Sequence, residues 1–270
     1  FLATASTAHL LGAEIVFADV APDTALMTAE TLESALARAG GPVAAVAPVH
    51  MAGQLVDLDA VGAVARDAGA RIVEDACHAV GANDADGRPI GSAASGDLKT
   101  FSLHPVKTIA AGEGGVVTTG DAALAERLRL FRNHGMQRDG FTDPGQALAA
   151  DGSSNPWYYE MSEPALNYRL SDIHAALATS QLAKLPAFVE RRRALVERYD
   201  AALAALPGHI SAIVRPSGRS GYGDPAWHLY VVLIDFAALG RDRAAVMQAL
   251  RERGIGSQVH YLPLHRQPFY

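Results

Sequence analysis

The sequence predicts an α/β fold: a mainly parallel sheet flanked by helices, followed by a smaller C-terminal α/β domain. Short apolar runs alternate with helix-length amphipathic segments over the first 132 residues, and a βαβα order of that kind builds a largely parallel sheet with helices on both faces. Hydrophobic residues make up 49% of the 270 and charged residues 19%, enough apolar material for a large core and a smaller one. The large domain is expected over residues 1–185 and the smaller over 186–270. The chain opens on Phe1, in a stretch that reads as domain interior, and stops at Tyr270 just after a Pro-bearing run. Both ends of a longer protein are therefore expected to lie outside it.

Each element has a local reason. Residues 14–19 read as a strand, and 28–39 as a helix that Thr28 can cap. Residues 43–50 form an apolar strand run ending in His50, and 57–68 a helix with Leu58, Val61 and Val64 on one face. Strands follow at 71–75, 98–103 and 116–119, then a helix at 122–132. From 141 to 164 periodicity stops. The stretch is rich in Gly, Pro, Ser, Asp and Asn and carries Trp157-Tyr158-Tyr159-Glu160, and irregular segments of that length in compact domains are usually functional or disordered. Helices are expected at 171–185 and 186–206, strands at 210–215 and 228–235, a helix at 241–253 and a strand at 255–261, together a βαβ-like tail.

Composition narrows the function classes. A net charge of −6, with no basic block beyond the solvated Arg191-Arg192-Arg193 face, leaves no nucleic-acid footprint. No apolar run approaches transmembrane length. The single cysteine, Cys77, rules out an internal disulfide and suits a reducing, cytoplasmic setting.

The chemistry gathers at predicted strand ends. Lys107 lies in a loop bounded by Pro105 and Gly112, after the run Phe101-Ser102-Leu103-His104; Asp75 and His78 close the preceding strand, and His50 the one before. Ligands of open α/β sheets bind outside the carboxyl ends of the strands. A lysine that can take an aldehyde, and a carboxylate for a ring nitrogen, are the minimum machinery of a pyridoxal phosphate enzyme. Each residue alone has a plainer reading: a solvated lysine, an aspartate that caps, a histidine satisfied at a strand end. Competing chemistries lack their motifs: there is no Walker lysine, no GxGxxG after a strand, no His-Glu-x-x-His and no Gly-x-Ser-x-Gly. His260 and His265 flank a Pro-bearing turn without a carboxylate or cysteine cluster, a weak basis for a metal.

Several ordered blocks together resemble the DegT/StrS-type sugar-nucleotide aminotransferases, a branch of the fold-type I pyridoxal phosphate transferases. They are Phe1-Leu-Ala-Thr-Ala5, Pro48-Val-His-Met-Ala-Gly-Gln54, Val73-Glu-Asp-Ala-Cys-His-Ala79, Phe101 to Lys107 with Gly112-Glu-Gly-Gly115, Arg132-Asn-His-Gly135, Asn167-Tyr-Arg-Leu-Ser-Asp172 and Gln258-Val-His-Tyr-Leu-Pro263. The Glu74 to Ala79, Phe101 to Lys107 and Pro156 to Met161 blocks are most similar to the branch that transaminates a UDP-linked 4-keto-6-deoxy sugar on the route to pseudaminic acid. The resemblance implies that Lys107 holds pyridoxal 5′-phosphate and moves a proton, that Asp75 pairs with its ring nitrogen, and that His78 contacts the ring hydroxyl side. It further implies that Ser102 binds the phosphate, that Phe1 stacks on the ring, and that Asn167 reaches the phosphate of a neighbouring subunit, with Arg169 near it. His50, Trp157, Tyr159, Arg169 and His260 are the candidate substrate contacts. The implied partners are a nucleotide sugar, glutamate as amino donor and a second copy of the chain in a homodimer with shared sites. Alternatives are a sister aminotransferase with another nucleotide sugar and a cofactor-binding homologue without catalysis. A sugar dehydratase of the same fold carries histidine where Lys107 stands. The family usually has a glycine shortly before the Asn167 position, where this chain has Pro164-Ala-Leu166.

Overall fold

The computed structural model describes residues 1–92 and 96–270. Helix α1 (Leu2–Leu10) leads through an extended stretch to α2 (Ala29–Arg38), where Thr28 and Thr31 form a reciprocal capping box. Strand β1 (Ala45–Val46) is followed by α3 (Leu58–Asp67), started by Asp57, whose carboxylate accepts the Asp59 and Ala60 N–H groups. Leu58, Val61 and Ala65 recur on the buried face of α3 and meet Leu32, Val46 and Ile72 in one apolar cluster.

Strands β2 (Arg71–Asp75) and β3 (Leu98–Ser102) continue a four-stranded sheet of order β1-β2-β3-β4, closed by β4 (Gly115–Thr118). The first three strands are parallel and β4 runs antiparallel to β3. Asp75 stands in register with Thr100, so the ends of β2 and β3 open on the same side. Beyond α4 (Ala122–Phe131), β5 (Met136–Gln137) pairs antiparallel with β6 (Glu160–Met161), and a short α5 (Pro144–Ala147) lies between them. Helices α6 (Asp172–Leu182) and α7 (Leu185–Ala204) follow. The first turns of α7 place Leu185 and Val189 against Ala76, Ala79 and Ala82. Then come α8 (Gly208–Ser211), β7 (Val214–Pro216), β8 (Val232–Ile234), α9 (Phe236–Leu239) and α10 (Arg243–Glu252).

Four expectations are corrected. Residues 14–19 are extended but join no ladder among the described residues; Arg38 holds them by donating to the Phe17 carbonyl at 2.9 Å. The 43–50 strand shrinks to Ala45–Val46 plus a bridge from Val49 to Asp75, because Pro48 lacks the N–H a continuous ladder needs. Residues 210–215 begin as helix α8, set up by Pro207 and Gly208, and only Val214–Pro216 pairs, antiparallel to β8. Residues 255–261 are not a strand: Ile255, Val259 and Tyr261 remain exposed and find no sheet face to cover. The tail is thus a two-stranded antiparallel ribbon with helices, not a βαβ unit.

Candidate active site

The loop after β3 is held as a closed arch. Leu103 N–H donates to the Gly114 carbonyl and Ala111 N–H to the Leu103 carbonyl, both at 2.9 Å. Buried Leu103, Ile109 and Ala111 form its floor, packed against Leu170, Leu185 and Phe188. Inside this arch the Lys107 N–H bonds the His104 carbonyl at 2.9 Å, so the half-buried Lys107 is presented by a fixed backbone. Ser102 Oγ, at the end of β3, accepts the His104 N–H at 3.3 Å. Next to Lys107, Thr108 is buried with an Oγ1 that has no hydrogen-bond partner.

At the neighbouring strand end, Asp75 accepts the Thr4 hydroxyl from α1 at 3.0 Å and the Cys77 N–H at 3.2 Å. Burial, reinforced by the Asp75 carboxylate, pushes the Cys77 thiol up to about 12, so it stays protonated and unreactive near neutral pH. His78 is buried, and its Nδ1 accepts the Ala52 N–H at 3.3 Å. Its ring packs 4.5 Å from that of His228 and 6.4 Å from that of His260. The line of rings continues from His260 to Tyr261 at 4.6 Å and on to Phe1 at 5.9 Å. Burial, then the nearby Lys107 ammonium, lowers His78 to about 4. Burial, then His78, then Lys107, lowers His228 to about 3. Burial and Lys107 also lower His260. Lys107 thus lies within electrostatic reach of His78, His228 and His260, and Asp75 acts on His78 in the opposite direction.

The fold therefore brings Asp75, His78, Ser102, Lys107, His260 and Phe1 to one end of the sheet. His50 goes elsewhere. It is fully buried, its Nδ1 accepts the Val56 N–H at 3.1 Å and its Nε2 meets Glu74 at 3.2 Å. With both ring nitrogens engaged inside the protein, it has no atom to offer a substrate and belongs to a buried polar group with Glu74 and Lys99, whose ammonium lies 3.9 Å from Glu74. Asn167 and Arg169 lie exposed on a separate strip, where Arg169 donates to Asn133 at 2.6 Å and Asn167 bridges to Asn133. Trp157 and Tyr159 are exposed on a loop organised by Glu160, which accepts from Thr142 and Asp143; those bonds lower its carboxyl to about 2. Sequence reasoning missed Thr4 and His228. Thr4 sits inside the Phe1 to Ala5 block, so its spacing is visible but not its partner, while His228 lies outside every block.

The donor set can be tested against pyridoxal phosphate. An ammonium, a carboxylate already holding two donors, and hydroxyls at Ser102 and Thr108 converge at the strand ends. Two buried polar atoms there, Thr108 Oγ1 and His228 Nδ1, have no partner. Such atoms call for a polar ligand, and the set fits an aldehyde-bearing pyridine phosphate. Among the described residues no group of histidine, cysteine, aspartate and glutamate could hold a metal, and no helix is long and apolar enough to cross a membrane.

Known proteins resemble this chain in sequence and fold. The chain is 38% identical over 271 residues to the spore coat polysaccharide biosynthesis protein SpsC of Bacillus subtilis, covering 100% of this chain and 65% of that protein. It superposes on Helicobacter pylori PseC, an aminotransferase involved in the biosynthesis of pseudoaminic acid, with a TM-score of 0.85 and 27% identity, over 100% of this chain and 65% of PseC. It also matches the PLP-form of Spr1654 from Streptococcus pneumoniae, with a TM-score of 0.82 and 27% identity, over 100% of this chain and 67% of that one. The chain thus spans about 65% of the length of SpsC and PseC. The family model for DegT/DnrJ/EryC1/StrS aminotransferases matches residues 1–270, and the chain belongs to that family.

Proposed function

We propose that the protein is a pyridoxal phosphate-dependent aminotransferase acting on a nucleotide-linked 4-keto-6-deoxy sugar, UDP-linked, with glutamate as amino donor. The observation that carries this is the placement of Asp75 at the end of β2 and of Lys107 in the loop after the adjoining β3, both within electrostatic reach of neutral His78. Pyridoxal phosphate, when bound, supplies an aldehyde that takes an amine covalently and a ring that delocalises negative charge from the substrate carbon. Lys107 provides the amine that holds it and the base that moves a proton. Asp75, oriented by Thr4, provides the carboxylate for the ring nitrogen, a charge-assisted pair. Ser102 would bind the phosphate and Phe1 would stack on the ring. His260 would contact the substrate. His50 is assigned to the scaffold.

Exposed Asn167 and Arg169 fit a role in the partner's site of a C₂ dimer, where the same patch serves both copies. Exposed Trp157 and Tyr159 offer aromatic faces to a nucleobase or sugar. On this reading the larger domain covers residues 1–185 and the smaller 186–270. Adding glutamate to the cofactor-loaded protein should shift its visible absorption band, and a UDP-4-keto-6-deoxy sugar should restore it. A band indifferent to both would contradict the assignment; restoration by a sugar on another nucleotide alone would correct the substrate.

A further inference from the structure

His228 stands outside the sequence motifs of the site, yet it is 9% exposed, its ring lies 4.5 Å from His78 at an interplanar angle of 36°, and its Nδ1 has no partner. Both residues are clipped to Ala52, His78 by its ring and His228 by its backbone: Ala52 gives its N–H to His78 Nδ1 at 3.3 Å, and its carbonyl takes the His228 backbone N–H at 2.8 Å. Ala52 adopts φ 62°, a left-handed conformation that costs an alanine energy and persists only where surroundings hold it. The surroundings here are the loop 226–229 and α7. Arg192 donates through Nη1 to the carbonyls of Trp227 at 3.3 Å and His228 at 2.9 Å, and Trp227 is itself covered by Arg219 at 4.5 Å.

We propose that His228, held in place by Arg192, is a positioning residue that fixes His78 as the tautomer with its proton on Nε2. The proposal rests on the cofactor reading of the Lys107 site. A neutral imidazole has one donor and one acceptor nitrogen. Since His78 Nδ1 accepts from Ala52, its proton sits on Nε2, and the ring presents a donor rather than a lone pair to whatever lies beside Lys107. The tilted His228 ring, 4.5 Å away, shields that arrangement from water. The charged and titratable groups facing His78 are Lys107 from the loop after β3, Asp75 at the end of β2, His260 from the C-terminal segment, and His228 itself. Asp75 alone among them favours protonation of His78; loss of the His228 shield gives that pull more weight.

The test is long-range ¹H–¹⁵N NMR of histidine-labelled native protein, with the cofactor removed, which reads tautomer and titration of His78 directly. Wild-type His78 should show the Nε2–H tautomer and titrate near 4. His228→Ala should raise that midpoint by about one unit or more toward the ordinary 6.5 and mix the tautomers. His228→Phe, which keeps the ring face, should restore the wild-type pattern. Arg192→Met should act in the same direction as His228→Ala from a distance, and decides the matter should His228→Ala fail to fold. In parallel, cofactor Kd should rise about tenfold in His228→Ala, the scale of one lost interaction, and recover in His228→Phe. An Nδ1–H tautomer in the wild type, or a His78 signal indifferent to both His228→Ala and Arg192→Met, would overturn the proposal. Since the tautomer is read without cofactor, that outcome leaves the aminotransferase assignment standing, whereas a protein that takes no cofactor at Lys107 sinks the assignment alone.

Discussion

Gly53 is where backbone geometry and the site meet most tightly, and Gly53→Ala probes that junction. Gly53 sits at φ 92°, and a Cβ added there would lie 1.9 Å from the Ala226 carbonyl oxygen and 3.0 Å from the His228 nitrogen. The loop 226–229 must then retreat, weakening the Ala226 N–H bond to the Gly53 carbonyl at 3.2 Å and the His228 N–H bond to Ala52 at 2.8 Å. Each such bond contributes about 1 kcal/mol, and the left-handed backbone adds about 1–2 kcal/mol for an alanine. The expected destabilisation is about 3 kcal/mol, read as a lowered urea midpoint at unchanged slope. Gly40→Ala is the control, since a Cβ added at Gly40 would meet nothing within 4 Å and its φ is not positive; it should stay within about 0.5 kcal/mol of wild type. A Gly53→Ala protein less than about 1 kcal/mol below wild type would refute the close approach of the two loops.

Asp75→Asn should still bind cofactor but lose on the order of 10²-fold or more in transamination rate; Thr4→Val, which only removes the 3.0 Å bond to Asp75, should lose severalfold, about 1 kcal/mol, and a near-normal Asp75→Asn rate would place the ring's acid elsewhere. His78 and His228 titrate near 4 and near 3 when folded and near 6.5 when unfolded. The unfolded chain therefore binds more protons between those values, so stability is full above pH 6.5 and falls as pH drops toward 4, on the order of 3 kcal/mol for His78; urea midpoints that drop no further in wild type than in His228→Phe between pH 7 and 4.5 would contradict this. Mixing inactive Lys107→Ala with inactive Asn167→Ala protein should return activity if sites are shared, because one heterodimer site is then wild type; subunit exchange without recovery would assign Asn167 to its own protomer.

What the sequence made legible was local. Strands β2 and β3 were readable to within a residue because each is short and ends at a turn, and the Thr28 cap because a cap and its helix are neighbours in the chain. Residues 255–261 alternate as a strand should, but a strand exists only with a partner, and that is a tertiary fact. His50 resembles Asp75 in sequence, each closing a strand run, yet its side chain is buried and pairs inward with Glu74. The Thr4 bond to Asp75 joins residues 71 apart, and His228 reaches His78 only through the turn at Ala52. Spacing along the chain carries no trace of either.

The central claim is that Lys107 is the amine that holds the cofactor. The chain has only two other lysines, Lys99 and Lys184, and Lys99 is fully buried beside Glu74. Borohydride reduction of the pyridoxal phosphate-loaded native protein, followed by peptide mapping, should place the cofactor's mass on Lys107 within the peptide spanning residues 100–127. A label on Lys184 or Lys99, or a reduced protein with no label in this chain, would contradict the account.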